Sequence, residues 1–143
     1  MAQLSDILDE KGREVLRIDA DASVLDAVRR MVEQNVGSLL VIDAGEVTGI
    51  VTERDYLRRV TLEGRDDRVA SVREIISSPL IVASADTTVD ECMALMTDRR
   101  IRHVPVVDRG EVVGIVSIGD LVKFTSKQQS FEIKYLTEYI NAY

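Results

Sequence analysis

Gly49-Ile50-Val51-Thr52-Glu53-Arg54-Asp55 recurs 65 residues later as Gly114-Ile115-Val116-Ser117-Ile118-Gly119-Asp120. Outward from this pair, Leu16–Leu57 falls on Ile81–Val122 without a gap, and 13 of the 42 aligned pairs are identical. Asp21/Asp86, Val24/Val89, Met31/Met96 and Gly45/Gly110 are among them, and about a third of the other pairs set apolar against apolar. Self-similarity at one fixed period marks a repeat architecture. The chain is therefore two copies of one small unit, and the fold question reduces to what one unit forms.

Each copy opens on a short apolar stretch, Val15–Ile18 or Leu80–Ala83, which suits a strand. Ser23-x-x-Asp26 and Thr88-x-x-Glu91 follow, each a capping box in which hydroxyl and carboxylate satisfy the orphan N–H groups of a helix start. Val24, Ala27, Val28, Met31 and Val32 then repeat at helical spacing, as do Val89, Cys92, Met93 and Met96. Two strand-like runs come next, Ser38–Asp43 and Glu46–Thr52 around Ala44-Gly45. The second copy has His103–Asp108 and Glu111–Ser117 around Arg109-Gly110. A two-residue connection containing Gly predicts a tight hairpin. A further helix begins near Glu53 and near Ile118, giving the order β-α-β-β-α. A unit of about 45 residues buries too little surface to stand alone, so the two should pack on each other.

The expected organisation is a first repeat with its N-terminal segment over 1–63, a charged linker over 64–75, and a second repeat over 76–126. A C-terminal amphipathic helix is expected over 127–143, with Phe131, Tyr135, Leu136, Tyr139 and Ile140 on one face. That face favours a homodimer, because on a monomer it would be an apolar patch.

The 143 residues carry a net charge of −7 and are 45% hydrophobic, with a mean hydropathy near zero. This is the composition of a folded, water-soluble domain. Its acidity argues against nucleic acid and anionic membrane surfaces, which are held by clustered Lys and Arg. The longest apolar run, Leu39-Leu40-Val41-Ile42, is far too short for a membrane span, and Met1–Lys11 lacks a secretory core, so a cytoplasmic location is expected. One Cys and one His exclude an internal disulfide and the usual zinc ligand sets. They also leave no convincing base, nucleophile or metal set for catalysis. Cys92 takes the place of Ala27 on a core-facing helix and reads as a small buried hydrophobe.

The doubled Gly-Ile-Val-Thr/Ser-x-x-Asp motif, together with Ile101-Arg102-His103-Val104-Pro105-Val106, resembles a pair of cystathionine-β-synthase (CBS) domains, a Bateman module. The resemblance covers about residues 4 to 126 and implies a mixed α+β fold. Two β-α-β-β-α repeats would pack with pseudo-two-fold symmetry around two clefts. It further implies a non-catalytic regulatory module that binds an adenine nucleotide of the AMP, ADP or ATP type and acts on a partner protein. NAD(H) or S-adenosylmethionine is the alternative ligand, and a structural dimerisation module with vestigial clefts the alternative role. With no enzyme or channel domain among the 143 residues, the chain is similar to the free-standing members.

Thr52-x-x-Asp55 and Ser117-x-x-Asp120 have two compatible readings. Each is a capping box for the helix it opens. Each is also a ligand site, because a helix N-terminus favours phosphate and an acceptor-only carboxylate suits the two ribose hydroxyls. Gly49 and Gly114 would let the strand backbone approach a ligand. Arg102 and His103 align with Gly37 and Ser38, which makes the clefts electrically unequal: Arg102 offers a fork for phosphate and His103 a titratable donor, or else a half-buried strand histidine. Arg54, Gly119 and Lys11 complete the polar candidates. Lys11 reads first as a solvated surface charge and second as a phosphate contact. Adenine would lie among aliphatic side chains near Leu16 and near Leu80 and Val82, read by strand backbone.

Overall fold

Residues 1–76 and 79–128 are described by a computed structural model of the protein. The helix expected over 127–143 lies outside the described residues beyond Gln128. The chain runs through α1 (Leu4–Lys11), β1 (Arg17–Asp19), α2 (Val24–Gln34), β2 (Ser38–Asp43), β3 (Glu46–Thr52) and α3 (Glu53–Tyr56). A π-helical turn, Leu57–Thr61, continues α3, and a 3-10 turn, Val72–Glu74, precedes the second unit. That unit comprises β4 (Ala83–Ser84), α4 (Val89–Arg99), β5 (His103–Asp108), β6 (Glu111–Ser117) and α5 (Ile118–Gln128). No described helix is long and apolar enough to cross a membrane.

The fold is mixed α+β. Two three-stranded sheets have the orders β1-β2-β3 and β4-β5-β6, each with one parallel and one antiparallel pairing. Both hairpins turn through two residues of positive φ, Ala44 and Gly45 at 52° and 82°, Arg109 and Gly110 at 53° and 79°. Two consecutive left-handed residues match the turn to the strand twist. The register also slips at the same place in each hairpin, between Val41 and Ile42 and between Val106 and Val107. The duplication extends to its irregularities.

The helices start where the caps predict. Thr88 and Glu91 form the complete box at α4, whereas Ser23 Oγ accepts from the Asp26 amide at 3.1 Å and the Asp26 carboxylate faces Arg29 instead. β1 begins at Arg17, two residues later than the apolar stretch implies. It pairs in parallel with β2 from Arg17↔Leu40 onward, and Val15 and Leu16 turn toward the cleft described below. Cys92 is buried, as its helical position implies, and burial pushes its thiol up to about 11, which leaves no reactive thiolate near neutrality.

The two cores exchange segments. Leu4, Ile7 and Leu8 of α1 are buried among Val89, Cys92, Val104, Val116 and Leu121 of the second unit. Ala70, Val72 and Ile75 are buried among Val24, Ala27, Leu39 and Val51 of the first. Backbone bonds follow the same exchange: Leu4 donates to Thr87, and Val72 to Ala22, both at 2.9 Å. Arg73 ties the second segment down further by pairing with Asp21 and Asp43 on the first unit. Thus α1, grouped with the first repeat by chain order, packs on the second. The stretch expected as a charged linker hides Ala70-x-Val72-x-x-Ile75, three apolar residues that complete the first core. Gly49 and Gly114 serve this exchange rather than a ligand. A Cβ at Gly49 would stand 3.0 Å from Ile76 Cδ1, and one at Gly114 2.5 Å from Leu8 Cδ2. The strand backbone approaches those side chains closely, and the expectation of ligand contact at these glycines is corrected.

Candidate functional site

Ser117 and Asp120 stand where β6 gives way to α5. The Ser117 amide donates to Asp120 Oδ2 at 2.8 Å, and the Asp120 amide to Ser117 Oγ at 3.1 Å. Thr52 and Asp55 repeat this at α3, with the Thr52 amide donating to Asp55 Oδ2 at 2.9 Å and the Asp55 amide to Thr52 Oγ1 at 3.2 Å. Both motifs are capping boxes. The hydroxyl and carboxylate of each share one helix N-terminus, so the cap also presents them as a ready donor–acceptor pair.

Ser117 and Asp120 open onto a cleft of about 410 Å³ between the two units. Lys11, Leu16 and Ser38 line it from the N-terminal side, and His103 and Ile115 from the second sheet. Six of the residues singled out from the sequence thus meet here: Lys11, Leu16, Ser38, His103, Ser117 and Asp120. Lys11 is an exposed charge, as expected, but it is paired rather than left to solvent alone. Its Nζ donates to Asp120 Oδ2 and to the Ile115 carbonyl, both at 2.7 Å. Although burial pushes the Asp120 carboxyl up, the bonds from Lys11 and the Ser117 amide, with the Lys11 charge, more than offset this and hold it below its ordinary range.

His103 pairs with Ser117 across the β5–β6 ladder. A Cβ at Gly37 would lie 2.5 Å from Glu53 Oε1 and 2.9 Å from His103 Nε2, so the bare glycine is what lets these two side chains converge. Burial lowers the His103 pKa, and the charges of Lys11 and Arg102 act the same way. Glu53 and Asp120 oppose them without restoring the ordinary value. A histidine more acidic in the fold than in the open chain stabilises the fold fully above about pH 6.5, and less as pH falls through the folded value. As the chain's one histidine, its imidazole Hε1 resonance should titrate below 6.5. A midpoint at or above 6.5 would show that the ring is not buried as described.

The other candidates lie apart from this cleft. Arg54 donates across the module to the Arg100 carbonyl at 2.5 Å, joining α3 to the end of α4 rather than reaching into the cleft. Arg102 and Val82 are exposed, and Gly119 is exposed on α5. In the repeat register Thr52, Asp55, Leu80 and Arg102 correspond to Ser117, Asp120, Val15 and Gly37, four residues that line the cleft. The repeat register alone relates them to that cleft, and they do not line it. Sequence reasoning missed Gly12, Glu14, Gln34, Asn35, Val36 and Ile115 among the lining residues. A signal was available for Asn35: it takes the left-handed conformation that ends α2 and turns the chain into the cleft wall, as Arg100 does after α4.

Comparison with known proteins agrees with this architecture. The family model of the CBS domain matches residues 4–62 and 72–127. A mitochondrial CBS domain-containing protein of Arabidopsis thaliana, CBSX3, is 39% identical over 96% of this chain and 71% of its own length. A solved putative signal-transduction protein with CBS domains from Burkholderia ambifaria is 40% identical, with a TM-score of 0.86 over 90% of this chain and 96% of its own. A hexameric CBS-CP12 protein from bloom-forming cyanobacteria is 31% identical, with a TM-score of 0.76 over 85% of this chain and 70% of its own. The chain belongs to the CBS-domain family, as a tandem pair.

Proposed function

We propose that the protein is an adenine-nucleotide sensor that acts on a partner protein. CBS pairs are generally regulatory, non-catalytic modules, and the cleft supports a ligand for this one. The observation that carries the reading is the meeting of a ribose-competent carboxylate, a cation and an imidazole in one cleft between two units. Its volume of about 410 Å³ falls within the ~300–1,000 Å³ typical of small-molecule sites. Asp120 would accept from the ribose hydroxyls, Lys11 and His103 would face phosphate, and Val15, Leu16 and Val36 would flank the base. Thr52, Asp55, Leu80, Val82 and Arg102 would do the same in the counterpart cleft. Because residues of both units line this cleft, a ligand that fits one relative arrangement better would shift the population toward it, which is what a partner would read.

Assembly into a homodimer is part of the proposal. Val28, Met31, Val32, Tyr56 and Leu57 form an open apolar groove on the first unit, with Val32 and Leu57 exposed. The cyanobacterial relative is itself a hexamer.

A thermal-shift screen with AMP, ADP, ATP, NAD(H) and S-adenosylmethionine tests the reading and separates the ligands. A ligand at ~100 times its Kd should add about 2.7 kcal/mol to stability. That gain should vanish in the Asp55→Ala, Asp120→Ala double variant. No shift with any of the five leaves the motifs as helix caps only.

A further inference from the structure

We infer that Lys11 restricts the first cleft to anionic adenosine ligands by occupying Asp120 until a phosphate takes its place. The inference rests on the nucleotide reading of the cleft and adds to it which ligand charge the cleft accepts.

In this cleft the Lys11 ammonium donates to two acceptors at once, Asp120 Oδ2 and the Ile115 carbonyl, each at 2.7 Å. Asp120, at the helix start, is the carboxylate suited to the ribose hydroxyls. A ribose hydroxyl that takes Asp120 Oδ2 must therefore compete with Lys11 for it. The pair is half-shielded, with side-chain exposures of 38% and 23%, so the ammonium loses real partners when it leaves.

The backbone of Lys11 is not free to leave with it. Leu4, Ile7 and Leu8 hold α1 in the second core, and Glu10 of α1 pairs with Lys127 of α5 at 3.2 Å. What moves is the flexible side chain at the end of a fixed helix. Among the described residues the other carboxylate lining the cleft, Glu14, is on an exposed stretch of chain where solvent screens it. A neutral nucleoside takes Asp120 and returns nothing to the ammonium. A phosphorylated one takes Asp120 and supplies a new anion within reach of the same side chain. The exchange of partners, not the ribose contact, sets the preference. In the repeat register position 11 corresponds to Ile76, so the counterpart cleft lacks this residue and its selection.

The test measures adenosine and AMP binding by calorimetry in an Asp55→Ala background, where remaining binding reports the first cleft. With Lys11 present, AMP should bind ~10–100-fold tighter than adenosine, as expected for a charge-assisted contact. Lys11→Met should tighten adenosine, weaken AMP and bring the two within a few-fold of each other. Lys11→Arg should restore the preference for AMP. If Lys11→Met shifts both ligands by the same factor in the same direction, Lys11 only supports the fold and the inference fails while the nucleotide reading stands. If neither adenosine nor AMP, nor ATP in the same titration, binds with Lys11 or with Met in place, the nucleotide reading of this cleft fails and takes the inference with it.

Discussion

Leu8→Ala should destabilise the protein by about 2–5 kcal/mol, near the upper end for a buried leucine, and the damage should fall on the second repeat. Leu8 is 1% exposed and lies over Gly114 of β6, where even a Cβ would come within 2.5 Å of its Cδ2. That fit has a consequence for truncation. The cost of a large-to-small change depends on how far the surroundings collapse into the space left behind. Here the floor of the site is a glycine in a hydrogen-bonded ladder, with no side chain to swing into the gap. The cavity should stay open. Urea denaturation should show a lower midpoint at unchanged slope, and hydrogen exchange should rise first in β5 and β6, about a hundred residues from the substitution. A loss below about 1 kcal/mol, or one confined to the first repeat's amides, would mean that α1 does not complete the second core.

That result turns on a feature the sequence does not display, and the reason is physical. Strands β2, β3, β5 and β6 match the residue spans expected from the strand-like runs and the Gly-containing turns between them, and the helices start at their caps. Those signals are local: a cap acts over three residues and a hairpin over a few more. Which core receives Leu8 or Ile75 is a choice between partners far apart in the chain, and a helical period is silent on it. The charged letters around Ala70, Val72 and Ile75 masked them as linker for the same reason. The π-helical turn Leu57–Thr61 also carries no period of its own. The candidate site divides along the same line. Ser117 and Asp120 were legible because a doubled motif carries them. The ion pair between Lys11 and Asp120 spans 109 residues and became visible only once α1 was placed on the second unit. Gly37 likewise looked like a mere absence opposite Arg102, until the fold showed His103 and Glu53 converging on the space it leaves.

The exchange also predicts that neither half folds alone. Cut between Gly64 and Arg65, the first half keeps α1 but loses Ala70, Val72 and Ile75 from its core. The second half gains those three and loses Leu4, Ile7 and Leu8. Each half would then expose buried apolar side chains at the place its missing segment should cover. Each would also leave open the backbone groups that segment pairs with: the Thr87 and Ala85 carbonyls in the second half, the Ala20 and Ala22 carbonyls in the first. A unit of roughly 65 residues is already marginal in the surface it can bury, so it has little reserve against such a loss. Separately, both halves should lack a cooperative melting transition. Mixed in equal amounts they should recover one, with a midpoint that rises with concentration because folding has become association. The control is the same pair with Leu4, Ile7 and Leu8 all changed to Ser in the first half, which should mix without refolding. A cooperative transition in either half by itself would show that the exchanged segments are accessories to cores complete without them.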